Sequence, residues 1–278
     1  MQNFWNKFKG NQATGVDSNY LIGLGLALVV VITLWWTPLL FPFRIFTTTV
    51  HEASHALAAV VTGGQVTCFE VETSGAGLTC TRGGWGFLIS SAGYLGSTIL
   101  GGLMLIGAKN QRGRRNLLYA LTVGVVLVLL FFALNIFSLF AGGVQRDFLT
   151  LALVGLVAAI FGLVAYKGPD LLVTFFVYVT ALLSTLYAVF DLITLVTINA
   201  GNNNIHNDAR NLEYYTGIPA LFWAVLWSLL TALILWQTFR VIIRRRQGKG
   251  PAFFGSKGSK PGKGTKSAFD SFDELKRR

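Results

Sequence analysis

The strongest chemical signal in the sequence lies in five consecutive residues, His51-Glu52-Ala53-Ser54-His55. On a helix, positions i and i+4 share one face a turn apart, so both imidazoles can bind a single Zn2+. Glu52 stands next to the first of them and can reach a water on that metal as general base. The plainer reading, two histidines hydrogen-bonded inside a helix bundle, leaves Glu52 buried without a partner. Catalytic zinc takes three protein ligands and keeps a position open. Asp191, in Tyr187-Ala188-Val189-Phe190-Asp191-Leu192, is the candidate third ligand. No other acid lies deep in a later apolar stretch, and no Lys or Arg in its segment offers to pair with it. Asp208, in Asn207-Asp208-Ala209-Arg210, is the substitute, with a helix N-cap ahead of Asn211–Tyr215 as its structural alternative. His206 falls in the polar loop Asn202–Asn207 and reads as solvated.

What must position these residues follows from composition. The chain has 278 residues, 53% hydrophobic and only 13% charged, with a formal net charge of +11. Soluble domains carry roughly 25% charged residues, so an ordinary globular protein is excluded, and the apolar fraction excludes disorder for most of the length. A mean hydropathy of +0.57 points to a multi-span membrane protein. Two cysteines cannot make a disulfide-rich scaffold. Twelve of the basic residues and three of the acids lie from Arg240 onward, so nine of the eleven net charges belong to the C-terminal tail. The tail's Gly, Ser, Lys and Pro have little to bury and read as a disordered basic flank that touches anionic lipid. Its Lys257–Lys266 run has no interleaved aromatic residues, so nucleic-acid binding is not expected.

Seven apolar segments are long enough, or nearly so, to cross a bilayer: Tyr20–Leu40, Phe43–Val61, Trp85–Gly107, Leu117–Phe140, Phe148–Tyr166, Leu171–Ile198 and Ile218–Ile243. Pro38 and Pro42 separate the first two. Several of Trp35, Trp36, Trp85, Trp223, Trp227 and Trp236 suit an interfacial belt. The expected fold is an all-α polytopic bundle, with an N-terminal tail over 1–19, a membrane domain over 20–243 and a tail over 244–278. The second segment is the least apolar, carrying Thr47, Thr48, Thr49, His51, Glu52, Ser54 and His55. Lipid is a poor solvent for it, so other helices should enclose it, and such a helix usually carries function.

Between the second and third segments, residues 64–84 read as a β-hairpin, with Gln65–Glu72 and Gly77–Arg82 flanking the turn Thr73–Ala76. A turn centred on Ser74 puts Cys68 opposite Cys80, which leaves a disulfide or two buried thiols as the alternatives.

With these residues in view, the chain resembles the M50B-like peptidases, relatives of the site-2 intramembrane metalloproteases. The matching pieces are His51–His55, Thr62-Gly63-Gly64, Gly93-Tyr94-Leu95-Gly96-Ser97, Asp208-Ala209, and Thr216-Gly217-Ile218-Pro219 leading into the Trp223/Trp227 span. The resemblance implies His51 and His55 as zinc ligands, Glu52 as catalytic base, and a transmembrane protein as substrate. It also implies that the β element holds an unwound substrate by strand addition. Two departures stand out. The Asn-Pro-Asp-Gly-type motif that supplies the third ligand in typical site-2 proteases is absent. Asp191 lies in the fourth span after the histidine-bearing one, rather than the second.

Lys109, Arg112, Arg114 and Arg115 make the loop after the third span basic, which with the tail places that loop and the C-terminus in the cytoplasm. The hairpin then falls on the outer side, where a disulfide persists, whereas the resemblance implies the cytoplasmic side. The function expected is a zinc-dependent intramembrane endopeptidase. The alternative is an inactive scaffold or transporter whose His51–His55 helix is structural.

Overall fold

The computed structural model describes residues 18–35, 37–108, 111–134, 148–201 and 207–246. The N-terminal tail up to residue 17, His206 and the basic tail from residue 247 lie outside the described residues.

The elements follow in order α1 (Ser18–Leu34), a 3-10 turn (Pro38–Leu40), α2 (Phe41–Val61), β1 (Gln65–Val71), β2 (Gly77–Arg82), α3 (Gly86–Gly107), α4 (Gln111–Val128), α5 (Phe148–Lys167), α6 (Asp170–Ala200), α7 (Asp208–Thr216) and α8 (Ala220–Arg246). The described residues are mostly helical, with one small antiparallel sheet among them. The first apolar run ends as a helix at Leu34, short of Leu40. Thr37 is extended, with φ −93° and ψ 153°, because a residue before proline is driven out of the helical region. Pro42 is accommodated in the first turn of α2, where its missing N–H costs nothing.

Among the described residues, five helices are long and apolar enough to span a membrane: Gly86–Gly107, Gln111–Ala133, Phe148–Lys167, Asp170–Ala200 and Ala220–Ile242. Gln111–Ala133 includes a π-helical turn at Leu129–Ala133 that continues α4. Of the other two expected spans, the first is represented by a shorter apolar helix, Gly23–Leu34. The second is α2, which has the length at 21 residues but is made polar by Arg44, Thr47–Thr49 and the His51–His55 run.

Burial sorts the helices. Of the apolar window in α6, 61% is buried, against 22% in the helix Gln111–Ala133 and 28% in α8. So α6 is central, while α4 and α8 turn Val123, Val126, Leu127, Leu229 and Leu233 outward, as lipid-facing helices do. The main core joins α1, α2, α5 and α6, with Phe43, Phe46, Phe161 and Phe176 packed ring against ring. A second cluster joins Tyr94, Leu192, Leu195, Leu212, Trp223 and Trp227. Of the tryptophans, Trp85 and Trp236 are exposed as a belt requires. Trp223 and Trp227 are buried instead, because they face the gap between α3 and α7.

Several basic residues expected to mark the cytoplasmic loop also close helix ends. Arg114 donates to the Ala108 carbonyl, and Arg115 donates to the Ala165 and Gly168 carbonyls and pairs with Asp170 at 2.9 Å. A cation beside the unsatisfied carbonyls of a C-terminus is favourable.

Candidate metal centre

The site is built on the contact between α2 and α3, which glycines hold close. A Cβ on Gly93 would collide with both Nε2 atoms of His51 and His55, and one on Gly96 would lie 2.8 Å from Ser54 Cβ. Only small residues let two membrane helices approach this closely. The same approach brings the Ile89 carbonyl to 2.6 Å from His55 Nδ1. A carbonyl only accepts, so Nδ1 must carry the proton and Nε2 presents a bare lone pair. That lone pair faces His51 Nε2 at 3.0 Å. The His51 ring stands edge-on to Tyr94 at 4.7 Å, and Tyr94 stacks on Trp227. Trp227 in turn donates its indole N–H to Ser91 Oγ at 3.1 Å.

α7 closes the third side. Asn207 caps it, its side chain accepting from the Arg210 N–H at 3.0 Å, and Gly217 ends it in the left-handed region at φ 71°. The cap is therefore one residue earlier than Asp208, whose carboxylate is free to point at the histidines. Asp208 Oδ2 lies 3.7 Å from His51 Nε2 and 3.5 Å from His55 Nε2. Among the described residues, His51, His55 and Asp208 are the group able to hold a metal ion, with ligand atoms all within 4.8 Å of one another.

Glu52 is buried beside this group and covered by the hairpin. The pairing Cys68↔Cys80, Phe69↔Thr79, Glu70↔Leu78 and Val71↔Gly77 centres the turn on Ser74, and Cys68 and Cys80 are joined by a disulfide. The hairpin folds back along α2. Thr48 donates to the Gly75 carbonyl at 2.6 Å, and Thr79 donates to the Glu52 carbonyl at 3.1 Å. A Cβ on Gly77 would lie 2.6 Å from Glu52 Cγ and 2.7 Å from its Oε1, so glycine there lets the strand backbone rest on the carboxylate. Thr150 on α5 holds the other strand through the Val71 N–H at 2.7 Å.

His51, Glu52, His55, Tyr94, Asp208 and the hairpin from Ser74 to Thr81 line one cavity of about 1100 Å3, together with Trp35, Arg44, Tyr187 and Asp191. The structure thus gathers His51, Glu52 and His55 together with Asp208, the substitute third ligand of the sequence reading. It leaves Asp191 in the cavity wall, outside the cluster. Gly93, Tyr94 and the Ile89 carbonyl were not singled out from the sequence as site-forming, although Gly93 and Tyr94 stand in the Gly-Tyr-Leu-Gly-Ser motif. Arg44 was also passed over, although it is the one basic residue in the second apolar segment.

Fold and site define a polytopic helical membrane protein whose polar helix α2 carries two of the three residues of a candidate metal-binding cluster. The family model for Peptidase M50B-like proteins matches residues 24–238, and the chain belongs to that family, which is a family of metalloproteases. Comparison with curated proteins and with solved structures gives no match.

Proposed function

We propose that the protein is a zinc-dependent intramembrane endopeptidase in which His51, His55 and Asp208 hold the metal and Glu52 is the general base. The observation that carries this reading is the convergence of three donor atoms beside a buried glutamate. Four ligands at about 2.0–2.2 Å in a tetrahedron stand roughly 3.3–3.6 Å from one another. The Nε2–Nε2 separation of 3.0 Å and the carboxylate distances of 3.5 and 3.7 Å match that spacing. Two imidazoles and a carboxylate are also a donor set that suits zinc. When bound, zinc supplies a Lewis acid that polarises a peptide carbonyl and acidifies water at neutral pH.

The residues of this chain do the rest. The Ile89 carbonyl keeps His55 in the ligand tautomer and orients its ring, as partners of ligating histidines do. Glu52 takes the proton from the attacking water and can return it to the departing amine. The hairpin backbone at Gly77 crowds the free side of Glu52 and limits how it turns. The edge of β2 offers backbone groups to an unwound substrate strand. Thr47, Thr48 and Asp191 give the cavity polar walls, so water and a peptide backbone can be accommodated below the lipid surface. The substrate class that fits is a transmembrane segment.

Four spans, α4, α5, α6 and α8, follow the Arg112–Arg115 region, an even number that supports the C-terminus lying on the same side as that region. The basic tail supports the cytoplasm as that side, with anionic lipid as its contact.

The test is Glu52→Gln in the purified full-length protein. Cleavage of a transmembrane substrate should fall by a factor of about 100 to 10,000, with one zinc per chain retained. Unchanged turnover overturns the mechanism. Absence of stoichiometric metal in the unaltered protein overturns the enzyme reading in favour of a scaffold or transporter.

A further inference from the structure

Arg44 stands at the far end of the helical face that carries the site. Residues 44, 48, 51, 52 and 55 recur at spacings that stack on one side of α2, and all five line the cavity. A guanidinium has five N–H donors and is always charged. One terminal nitrogen of Arg44 donates to the Trp35 carbonyl, which closes the end of α1. The Nε of Arg44 is buried and has no partner among the described residues. None of the ion pairs among the described residues includes it, although Glu52 and Asp191 share its cavity. A cation held in a membrane protein without a counter-ion is costly and marks a place for an anion.

The cavity wall says what kind of anion. Arg44 and His51 are seven residues apart, a rise of about 10 Å along the helix. An extended polypeptide covers that distance in about three residues. Between them the wall carries the hydroxyls of Thr47 and Thr48 and the hairpin backbone from Ser74 to Gly77. Those hydroxyls and backbone groups can hydrogen-bond a peptide backbone and have nothing to pair with in an acyl chain.

We propose that Arg44 is a specificity-determining residue that binds an acidic side chain of the substrate about three residues from the bond that is cut. The inference rests on the peptidase reading for what occupies the cavity, and its test reads binding, with no cleavage required. The probes are fluorescein-labelled transmembrane peptides of Leu and Ala with lysine flanks. One Asp is walked through the segment, and each peptide is paired with its Asn counterpart. They are titrated against the full-length protein carrying Glu52→Gln, in phosphatidylcholine nanodiscs.

One Asp register should bind at least about tenfold more tightly than its Asn partner, as expected for hydrogen bonds to a charged group. Arg44→Gln should remove that preference, Arg44→Lys should restore part of it, and Arg44→Glu should shift it to peptides with Lys in that register. Bound zinc and the thermal midpoint of each variant show that the fold survives. A flat Asp series, a preference that persists in Arg44→Gln, or no binding of any peptide overturns the proposal. So does anionic lipid that co-purifies with the unaltered protein, is lost in Arg44→Gln, and is accompanied by a flat Asp series. Asp preference in a protein that never cleaves leaves this inference standing and removes the peptidase reading. Cleavage without Asp preference does the reverse.

Discussion

The two sides of the candidate metal centre are built by opposite means. His51, Glu52 and His55 come from one turn and a half of α2, and helical periodicity alone puts both imidazoles on one face. Asp208 comes from the short helix α7 near the other end of the chain. Its position depends on the Asn207 cap, on the turn at Gly217 and on Leu212 packing with Trp223 and Trp227. Local spacing therefore makes half of the site, and long-range packing makes the other half. A similar contrast separates the glycines. Gly93 lies against both histidines, whereas Gly124 on α4 has nothing within 4 Å of where a Cβ would be.

The sharpest way to break the first comparison is to exchange the two candidate acids. Asp208→Asn should weaken zinc binding by more than about 100-fold, since even outer-shell partners of a metal site are worth roughly 10- to 100-fold. Asp191→Asn should leave zinc affinity within a few-fold of the unaltered protein. Zinc titration of both variants decides it. The opposite pattern gives the ligand role to Asp191, where the sequence first pointed.

The glycine contrast predicts a smaller effect. Gly93→Ala should destabilise the α2–α3 contact by about 1–3 kcal/mol and reduce bound zinc, because the methyl group displaces both imidazoles. Gly124→Ala should leave stability unchanged or slightly higher, since alanine is the better helix former. Thermal denaturation in detergent compares the two, and equal effects would remove the case for close helix approach at the site.

The hairpin supplies the third prediction. The disulfide joins residues 12 apart in sequence, and closing a loop of that order is worth roughly 2–4 kcal/mol. Replacing both Cys68 and Cys80 by Ser should open Thr73–Ala76 to protease and slow any turnover, because backbone pairing alone then joins β1 to β2. Unchanged protease sensitivity would show that those hydrogen bonds and the Thr150 contact suffice.

The smallest effect on the site comes from the periphery. Removing the basic residues after Gly248 should lower binding to phosphatidylglycerol vesicles by about 1 kcal/mol per charge near the surface, with zinc content unchanged. Equal binding of the full and shortened chains would separate the tail from the lipid surface.

The sequence by itself determined a polytopic helical protein, the His51–Glu52–His55 face, the enclosure of α2 and the register of the hairpin. Each of these follows from periodicity, hydropathy or turn position within a short stretch of chain. It overextended the first helix to Leu40 and assigned Trp223 and Trp227 in part to a belt, because a one-dimensional pattern does not say which side of a helix meets another. Only the tertiary structure decided that Asp208 and not Asp191 lies within reach of both imidazoles. Burial in a long apolar helix made Asp191 conspicuous, but ligand distance depends on where α7 packs, and α7 is short, polar and unremarkable in hydropathy. The fold also decided that the strand backbone at Gly77 rests on Glu52, because the hairpin's direction is set by hydrogen bonds from Thr48 and Thr79 that no local pattern encodes.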